Sequence, residues 1–124
     1  MVDSSGWIEF FTGGPNAGPF AEAIERPERL VVPTISLFEV FKWVLREHGE
    51  GPALRAIALM QRGELMGLSS EIALHGAQLS LALKLPMAES LMLATTRARG
   101  ALLITQEADF QGLARVRWLP KNPG

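Results

Sequence analysis

The strongest constraint on the fold of this chain is the alternation of short apolar runs with longer segments that have helical spacing. The apolar runs are rich in Val, Ile and Leu and are bounded by Gly, Pro or Ser, as short buried strands usually are. We predict strands at residues 1–2, 30–32, 64–68 and 101–105. A fifth, edge strand is expected at residues 115–119, because Val116 and Trp118 alternate with two arginines.

Apolar residues recur at about 100° per residue between these runs, which indicates amphipathic helices. We predict helices over residues 37–45, 72–83 and 87–99. The second should stop before Pro86, and the third should end at Gly100 as a left-handed cap. Turns are expected at residues 13–16 and 49–52. Alternating strands and helices predict a three-layer α/β/α domain with a mostly parallel central sheet of four to five strands, in which ligands gather at the strands' carboxyl ends.

Length and composition limit the class of protein. The chain has 124 residues, which fits a single domain over residues 1–124, and 48% of it is hydrophobic and 20% charged, as in folded globular proteins. The longest apolar stretches fall far short of the roughly 20 residues that cross a bilayer, so we expect no membrane span. Asp3 and Glu9 near the N-terminus argue against a secretory signal, and we expect a cytoplasmic protein.

The absence of cysteine excludes thiolate metal sites and disulfides. The formal net charge of −1 excludes a broadly basic protein that would hold nucleic acid by bulk electrostatics. Any nucleic-acid activity must therefore come from a local site. The three tryptophans, Trp7, Trp43 and Trp118, are dispersed, and we expect them to pack in the core.

Two acidic residues in the first half of the chain have competing explanations. Asp3 follows the first apolar run and should point into the crevice. Taken alone, this segment is better explained by Asp3, Ser4 or Ser5 as the cap of a helix that begins near Gly6. Glu39 has the spacing of a capping box with Ser36. It also lies on the same side of the helix as Lys42 and Arg46. These three residues would either bind a metal ion and a phosphate together or form a solvated ion-pair face.

Acidic residues in the second half lie at similar junctions. Glu89 is in the first turn of a helix after Pro86, where its charge suits the helix dipole. Glu107 and Asp109 follow a buried strand. Each carboxylate has a structural explanation, but three of the four segments place a carboxylate where a strand or loop meets a helix. This combination is more informative than any one of them.

Four segments in order resemble the PIN domains, and specifically the VapC-like toxins of bacterial toxin–antitoxin pairs, over essentially the whole chain. They are residues 2–8, 33–40, 85–90 and 105–110. The first two resemble the opening strand with its acidic residue and the second acidic motif. The last two resemble segments that carry aspartate where this chain has Glu89 and Glu107. Because glutamate is one methylene longer and Mg²⁺ demands near-ideal geometry, these changes are expected to reduce metal affinity or turnover.

The resemblance implies a ribonuclease that uses Mg²⁺ or Mn²⁺, with RNA as substrate, a small antitoxin whose tail covers the acidic crevice, and a homodimer. The candidate catalytic residues are Asp3, Glu39, Glu89 and Glu107. Asp3, Glu89, Glu107 and Asp109 are candidate metal ligands, with Ser5 and Thr105 as supporting hydroxyls and Lys42 and Arg46 as phosphate contacts.

Two alternative functions compete with a ribonuclease. A PIN domain with weakened chemistry would only bind RNA or a partner protein, and its two glutamates would mark that loss. A nucleotide-binding α/β module has little support, because no Gly-rich phosphate loop follows any predicted strand. Thermal stabilisation by divalent ions distinguishes the first alternative from a nuclease.

Overall fold

A computed structural model describes residues 1–121. Within them the α-helices are α1 (Ser4–Thr12), α2 (Ala17–Ile24), α3 (Thr34–His48), α4 (Glu50–Met60), α5 (Ser70–Leu83) and α6 (Met87–Ala98). The strands are β1 (Val31–Pro33), β2 (Glu64–Met66), β3 (Leu103–Thr105) and β4 (Val116–Trp118). Short 3₁₀ turns cover Pro27–Arg29 and Ala108–Phe110.

The strand pairings in residues 1–121 are parallel, as predicted. β1 pairs with β2, and β3 pairs with β4. The predicted first strand is reduced to one bridge between Val2 and Ile104, supported by a hydrogen bond of 2.8 Å from Ile104 N to the Met1 carbonyl. Hydrogen bonds thus divide the predicted four- to five-stranded sheet into two two-stranded sheets, one of which is extended by residue 2. The strands are only three residues long, which limits how far their ladders extend.

Two apolar clusters lie on opposite faces of the strands and confirm the three-layer arrangement. Val2, Val32 and Ile104 pack with buried residues of α1 to α4. Their chain neighbours Met1, Val31 and Leu103 pack instead with buried residues of α5 and α6. Because successive side chains of a strand point to opposite faces, this division places the strands between two helical layers.

Helices α3, α5 and α6 confirm the predicted helical segments. The Leu85-Pro86 break separates α5 from α6, and Gly100 adopts a left-handed φ of 59° after α6. Helices α2 and α4 were not predicted. The turn expected at residues 49–52 is confined to Gly49, because α4 begins at Glu50 and accommodates Pro52 in its first turn.

The predicted capping box of Ser36 and Glu39 was wrong. Helix α3 begins at Thr34 after Pro33, three residues earlier than a Ser36 cap requires. Ser36 is therefore inside the first turn, where its hydroxyl is buried and has no hydrogen-bond partner among the described residues. Glu39 is thus free of a capping role, and its carboxylate is directed to other contacts.

In residues 1–121, no helix combines the length and the apolar character that a membrane crossing requires.

Candidate active site

Asp3 lies where the N-terminal bridge ends and α1 begins, so it both caps a helix and faces the strands' carboxyl ends. Its Oδ1 accepts a hydrogen bond of 2.9 Å from the Gly6 backbone N–H, which confirms the predicted cap. Ser5 Oγ donates to the same carboxylate at 2.9 Å, and Thr105 Oγ1 donates to Oδ2 at 2.6 Å. Asp3 is only 2% exposed, so these donors fix the carboxylate in one orientation.

Burial raises the pKa of Asp3 to about 6 from an ordinary value of 3.8. The three donors and the nearby Glu107 have smaller effects on this pKa: the hydrogen bonds lower it and the charge of Glu107 raises it. A buried carboxylate whose charge is so costly gains from a cation beside it. This is the electrostatic condition that favours metal binding at Asp3.

Glu39 is brought to the same place by α3. It is half-buried, and its Oε1 accepts a hydrogen bond of 2.7 Å from Ser4 Oγ in the first turn of α1. This contact joins residues 35 positions apart in the chain. Helices α1 and α3 therefore hold the second acidic residue next to the first.

Glu89 is in the first turn of α6, on the opposite helical layer. Its pKa is raised mainly by burial, and then by the negative charges of Glu39, Asp109 and Glu107. Its own backbone N–H acts in the opposite direction. Carboxylates from two other segments are therefore close enough to Glu89 to disfavour its charged form.

Glu107 follows β3 through a short polar turn. Its backbone N–H donates 2.9 Å to Thr105 Oγ1, the same hydroxyl that donates to Asp3. Thr105 is fully buried and thereby links the closing motif to the opening one. Both predicted supporting hydroxyls, those of Ser5 and Thr105, contact Asp3.

One cavity of about 260 Å³ collects the four predicted catalytic carboxylates. Its lining consists of Asp3, Ser4, Ser5, Ile8, Glu39, Trp43, Glu89, Met92 and Glu107. The acidic residues come from the N-cap of α1, from α3 and α6, and from the turn after β3. The fold therefore brings together residues that are far apart in the sequence. None of these lining residues is basic.

The other predicted site residues lie outside this lining. Asp109 is exposed and is near enough to raise the pKa of Glu89. Lys42 Nζ lies 5.7 Å from the centre of the Phe38 ring, and Arg46 Nε pairs with Glu47 at 3.0 Å. Lys42 and Arg46 thus have partners on their own helix, and a phosphate contact from either remains a prediction.

Some cavity residues were not predicted from the sequence. Ser4 holds Glu39, and the only signal for it was the Ser4-Ser5 pair beside Asp3. Trp43 was expected in the core, but it is half-buried and also lines a neighbouring apolar cavity of about 620 Å³. Trp7, in contrast, is fully buried as expected.

The donor set fits a hard divalent cation. It consists of carboxylate and hydroxyl oxygens, the ligands that Mg²⁺ and Mn²⁺ prefer, and two of its carboxylates have raised pKa values. In residues 1–121, however, no three Asp, Glu or His side chains already form a set that could hold an ion. Asp3 is held by Ser5, Gly6 and Thr105, and Glu39 is held by Ser4.

The comparisons with known proteins identify the family of this chain. The model of the PIN domain family matches residues 1–116, and the chain belongs to this family. A comparison with curated proteins finds none that matches significantly.

Solved structures share the fold over nearly the whole chain. A toxin–antitoxin complex from Klebsiella pneumoniae is 25% identical in sequence, with a TM-score of 0.81. The match covers 94% of this chain and 93% of the matched chain in that complex. VapC20 from Mycobacterium tuberculosis, a sarcin–ricin loop cleaving toxin, is 16% identical in sequence, with a TM-score of 0.72. The match covers 94% of this chain and 97% of VapC20. The second likeness concerns the fold alone.

Proposed function

We propose that this chain is a metal-dependent endoribonuclease of the VapC type that hydrolyses RNA phosphodiester bonds. The observation that carries the proposal is the convergence of Asp3, Glu39, Glu89 and Glu107 on one cavity. Membership of the PIN domain family and the fold likeness to two toxin structures support it.

Asp3, Glu89 and Glu107 would hold Mg²⁺ or Mn²⁺, with Asp109 as a further ligand at the rim and Glu39 completing the acidic wall. A divalent ion bound there would polarise a phosphodiester and lower the pKa of a bound water. Ser5 and Thr105 keep the Asp3 carboxylate oriented, and Ser4 does the same for Glu39. With these hydroxyls in place, two of the four carboxylates need little reorganisation.

The proposed partners follow from the same family. One of the similar structures is a toxin–antitoxin complex, which supports a small antitoxin as inhibitor of this chain. A homodimer is proposed from the family resemblance. Light scattering of the purified protein alone tests the homodimer. The same measurement with the small protein encoded by a neighbouring gene tests the antitoxin complex.

Two observations favour a second function. No three acidic side chains in residues 1–121 are arranged to hold an ion. In addition, Glu89 and Glu107 stand where the family pattern has aspartate. A catalytically weakened PIN domain that only binds RNA or a protein would have these features. In that case RNA binding would be retained without divalent-ion-dependent cleavage.

The deciding experiment incubates the purified, inhibitor-free protein with a mixed RNA pool and Mg²⁺ or Mn²⁺. We expect discrete cleavage products that disappear with EDTA and with Asp3→Asn. Glu22→Gln is the matched control, because Glu22 is exposed on α2 and does not line the acidic cavity. Cleavage that persists in Asp3→Asn would reject the proposed site, and RNA binding without cleavage in the wild type would favour the second function.

A further inference from the structure

A basic side chain reaches the acidic cavity from the last described part of the chain. Lys121 Nζ lies 3.6 Å from Glu107 Oε1. The Lys121 side chain is 62% exposed, so the ammonium lies at the rim of the cavity and faces solvent. An ammonium has three N–H donors, and this long ion pair leaves donors available for a second anionic group.

The backbone before Lys121 is fixed against the site. Leu119 N donates 2.8 Å to the carbonyl of Thr105, the residue whose hydroxyl orients Asp3. Asn16 Nδ2 donates 3.0 Å to the Pro120 carbonyl and 3.0 Å to Gln106 Oε1. Because Asn16 and Gln106 are buried, the approach of Lys121 to Glu107 is built into the fold rather than left to an unanchored tail.

The other candidate cations, Lys42 and Arg46, form no ion pair with a carboxylate of the acidic cavity within residues 1–121. Lys42 lies over the Phe38 ring, and Arg46 pairs with Glu47. Among the ion pairs of residues 1–121, the one between Lys121 and Glu107 is the pair that involves a carboxylate of the acidic cavity. An RNA phosphate entering a cavity walled by four carboxylates is repelled unless a cation receives it.

We propose that Lys121 receives the substrate phosphate at the rim of the acidic cavity. The inference rests on the proposed ribonuclease function and assigns a substrate-positioning residue to it. It differs from the sequence-based expectation, which gave this role to Lys42 and Arg46. A purely structural tether is a poor alternative, because exposed ion pairs contribute little to stability.

The test compares Lys121→Met with Lys121→Arg and with Arg117→Met. Arg117 is an exposed cation on β4 that lines a different cavity, so its substitution controls for the loss of one positive charge. The substrate is a short labelled RNA that contains a site cleaved by the wild type in the pool experiment. Steady-state kinetics are measured over a range of salt concentrations, and the Mn²⁺-induced change in melting temperature is measured for each variant.

We expect Lys121→Met to raise KM roughly two- to five-fold with kcat nearly unchanged, the effect of losing one exposed ion pair. The slope of log kcat/KM against log salt should decrease by about 0.7, the value for one phosphate contact on a single strand. Lys121→Arg should restore both quantities. The Mn²⁺-induced shift should be retained or increased, since Glu107 loses a competing cation.

Unchanged KM and salt slope in Lys121→Met would overturn the inference while leaving the proposed function intact. Loss of the Mn²⁺ shift in this variant would also overturn it, because Lys121 would then organise the carboxylates rather than receive phosphate. An equal loss of slope in Arg117→Met would show a general charge effect and would likewise reject the assignment. If the wild type neither binds Mn²⁺ nor cleaves RNA, the proposed function itself fails.

Discussion

Thr105 Oγ1 donates a hydrogen bond of 2.6 Å to Asp3 Oδ2, which joins the first and last acidic motifs across 102 positions of the chain. The same hydroxyl accepts from the Glu107 backbone N–H at 2.9 Å. Thr105 therefore sets the orientation of one candidate ligand and the start of the turn that carries another. Its burial excludes water as a substitute partner for Asp3 on this side.

Replacing Thr105 tests this relationship. We expect Thr105→Val, which keeps the shape and removes the hydroxyl, to weaken Mn²⁺ binding at least tenfold, as loss of a ligand's hydrogen-bond partner generally does. The free energy of unfolding should fall by about 1–3 kcal/mol, because Asp3 and the Glu107 N–H each lose a partner. Calorimetric titration and urea unfolding measure the two effects. Thr105→Ser is the matched control, and a Ser variant as impaired as the Val variant would show that packing is responsible.

The raised pKa of Asp3 predicts a specific pH dependence of stability in metal-free protein. Burial raises this pKa to about 6 in the folded state, against 3.8 ordinarily. The folded protein then binds more protons than the unfolded chain between these values, so stability from Asp3 is present below about pH 4 and is lost as pH rises through 6. At pH 7, Asp3→Asn should be more stable than the wild type by about 2–3 kcal/mol, from 1.36 kcal/mol for each pKa unit.

Urea unfolding in EDTA at several pH values checks this prediction. The advantage of Asp3→Asn should disappear near pH 4, where the wild-type carboxyl is protonated. Glu22→Gln, at an exposed position, should show no such advantage. An Asp3→Asn protein that is less stable than the wild type at pH 7 would mean that the three hydrogen bonds outweigh burial.

Ser36 distinguishes the observed start of α3 from a capping box. Its buried hydroxyl has no partner among the described residues, so Ser36→Ala should leave the free energy of unfolding unchanged or increase it. Ser69 is the matched control, because its side chain accepts from the Ile72 backbone N–H as a true N-cap of α5. Ser69→Ala should cost about 0.5–2 kcal/mol. Similar losses in both variants, measured by urea unfolding, would restore the capping interpretation of Ser36.

The misjudged start of α3 shows what local patterns do and do not determine. The spacing of Ser36 and Glu39 is compatible with a cap, but Pro33 ends β1 and allows the helix to begin at Thr34. Helices α2 and α4 were not predicted, because Gly-Pro pairs within their first turns are usually interpreted as turns. Proline is tolerated in a first turn, where its missing N–H has no helical partner.

The site was predictable in part for a related reason. Asp3, Glu89 and Glu107 were found because they lie at strand or loop ends, which parallel strands bring together. Glu39 lies inside α3 and was found through the family resemblance of residues 33–40. Their partners were harder to find. The contacts of Ser4 with Glu39 and of Lys121 with Glu107 depend on how distant elements pack, and periodicity contains no information about that.

The two positions that depart from the family's aspartate pattern predict how cleavage responds to side-chain length. Glu89→Asp should retain or raise Mg²⁺-dependent cleavage of RNA, because the shorter side chain suits the strict geometry of Mg²⁺. Glu89→Ala should lower it at least tenfold by removing a ligand. Initial rates of RNA cleavage measure both. If Glu89→Asp abolishes cleavage in a folded protein, the backbone has adapted to glutamate, and a neutral alanine variant would remove Glu89 from the site.

The central claim is that the cavity of Asp3, Glu39, Glu89 and Glu107 holds a divalent cation, and calorimetric titration of metal-free protein with Mn²⁺ at pH 7 tests it most directly. We predict saturable binding in the wild type and in Glu22→Gln, and loss of binding in Asp3→Asn. The melting temperature of the wild type should rise with Mn²⁺, since the ion binds the native state. Absence of saturable binding in the wild type, or unchanged binding in Asp3→Asn, would contradict the account.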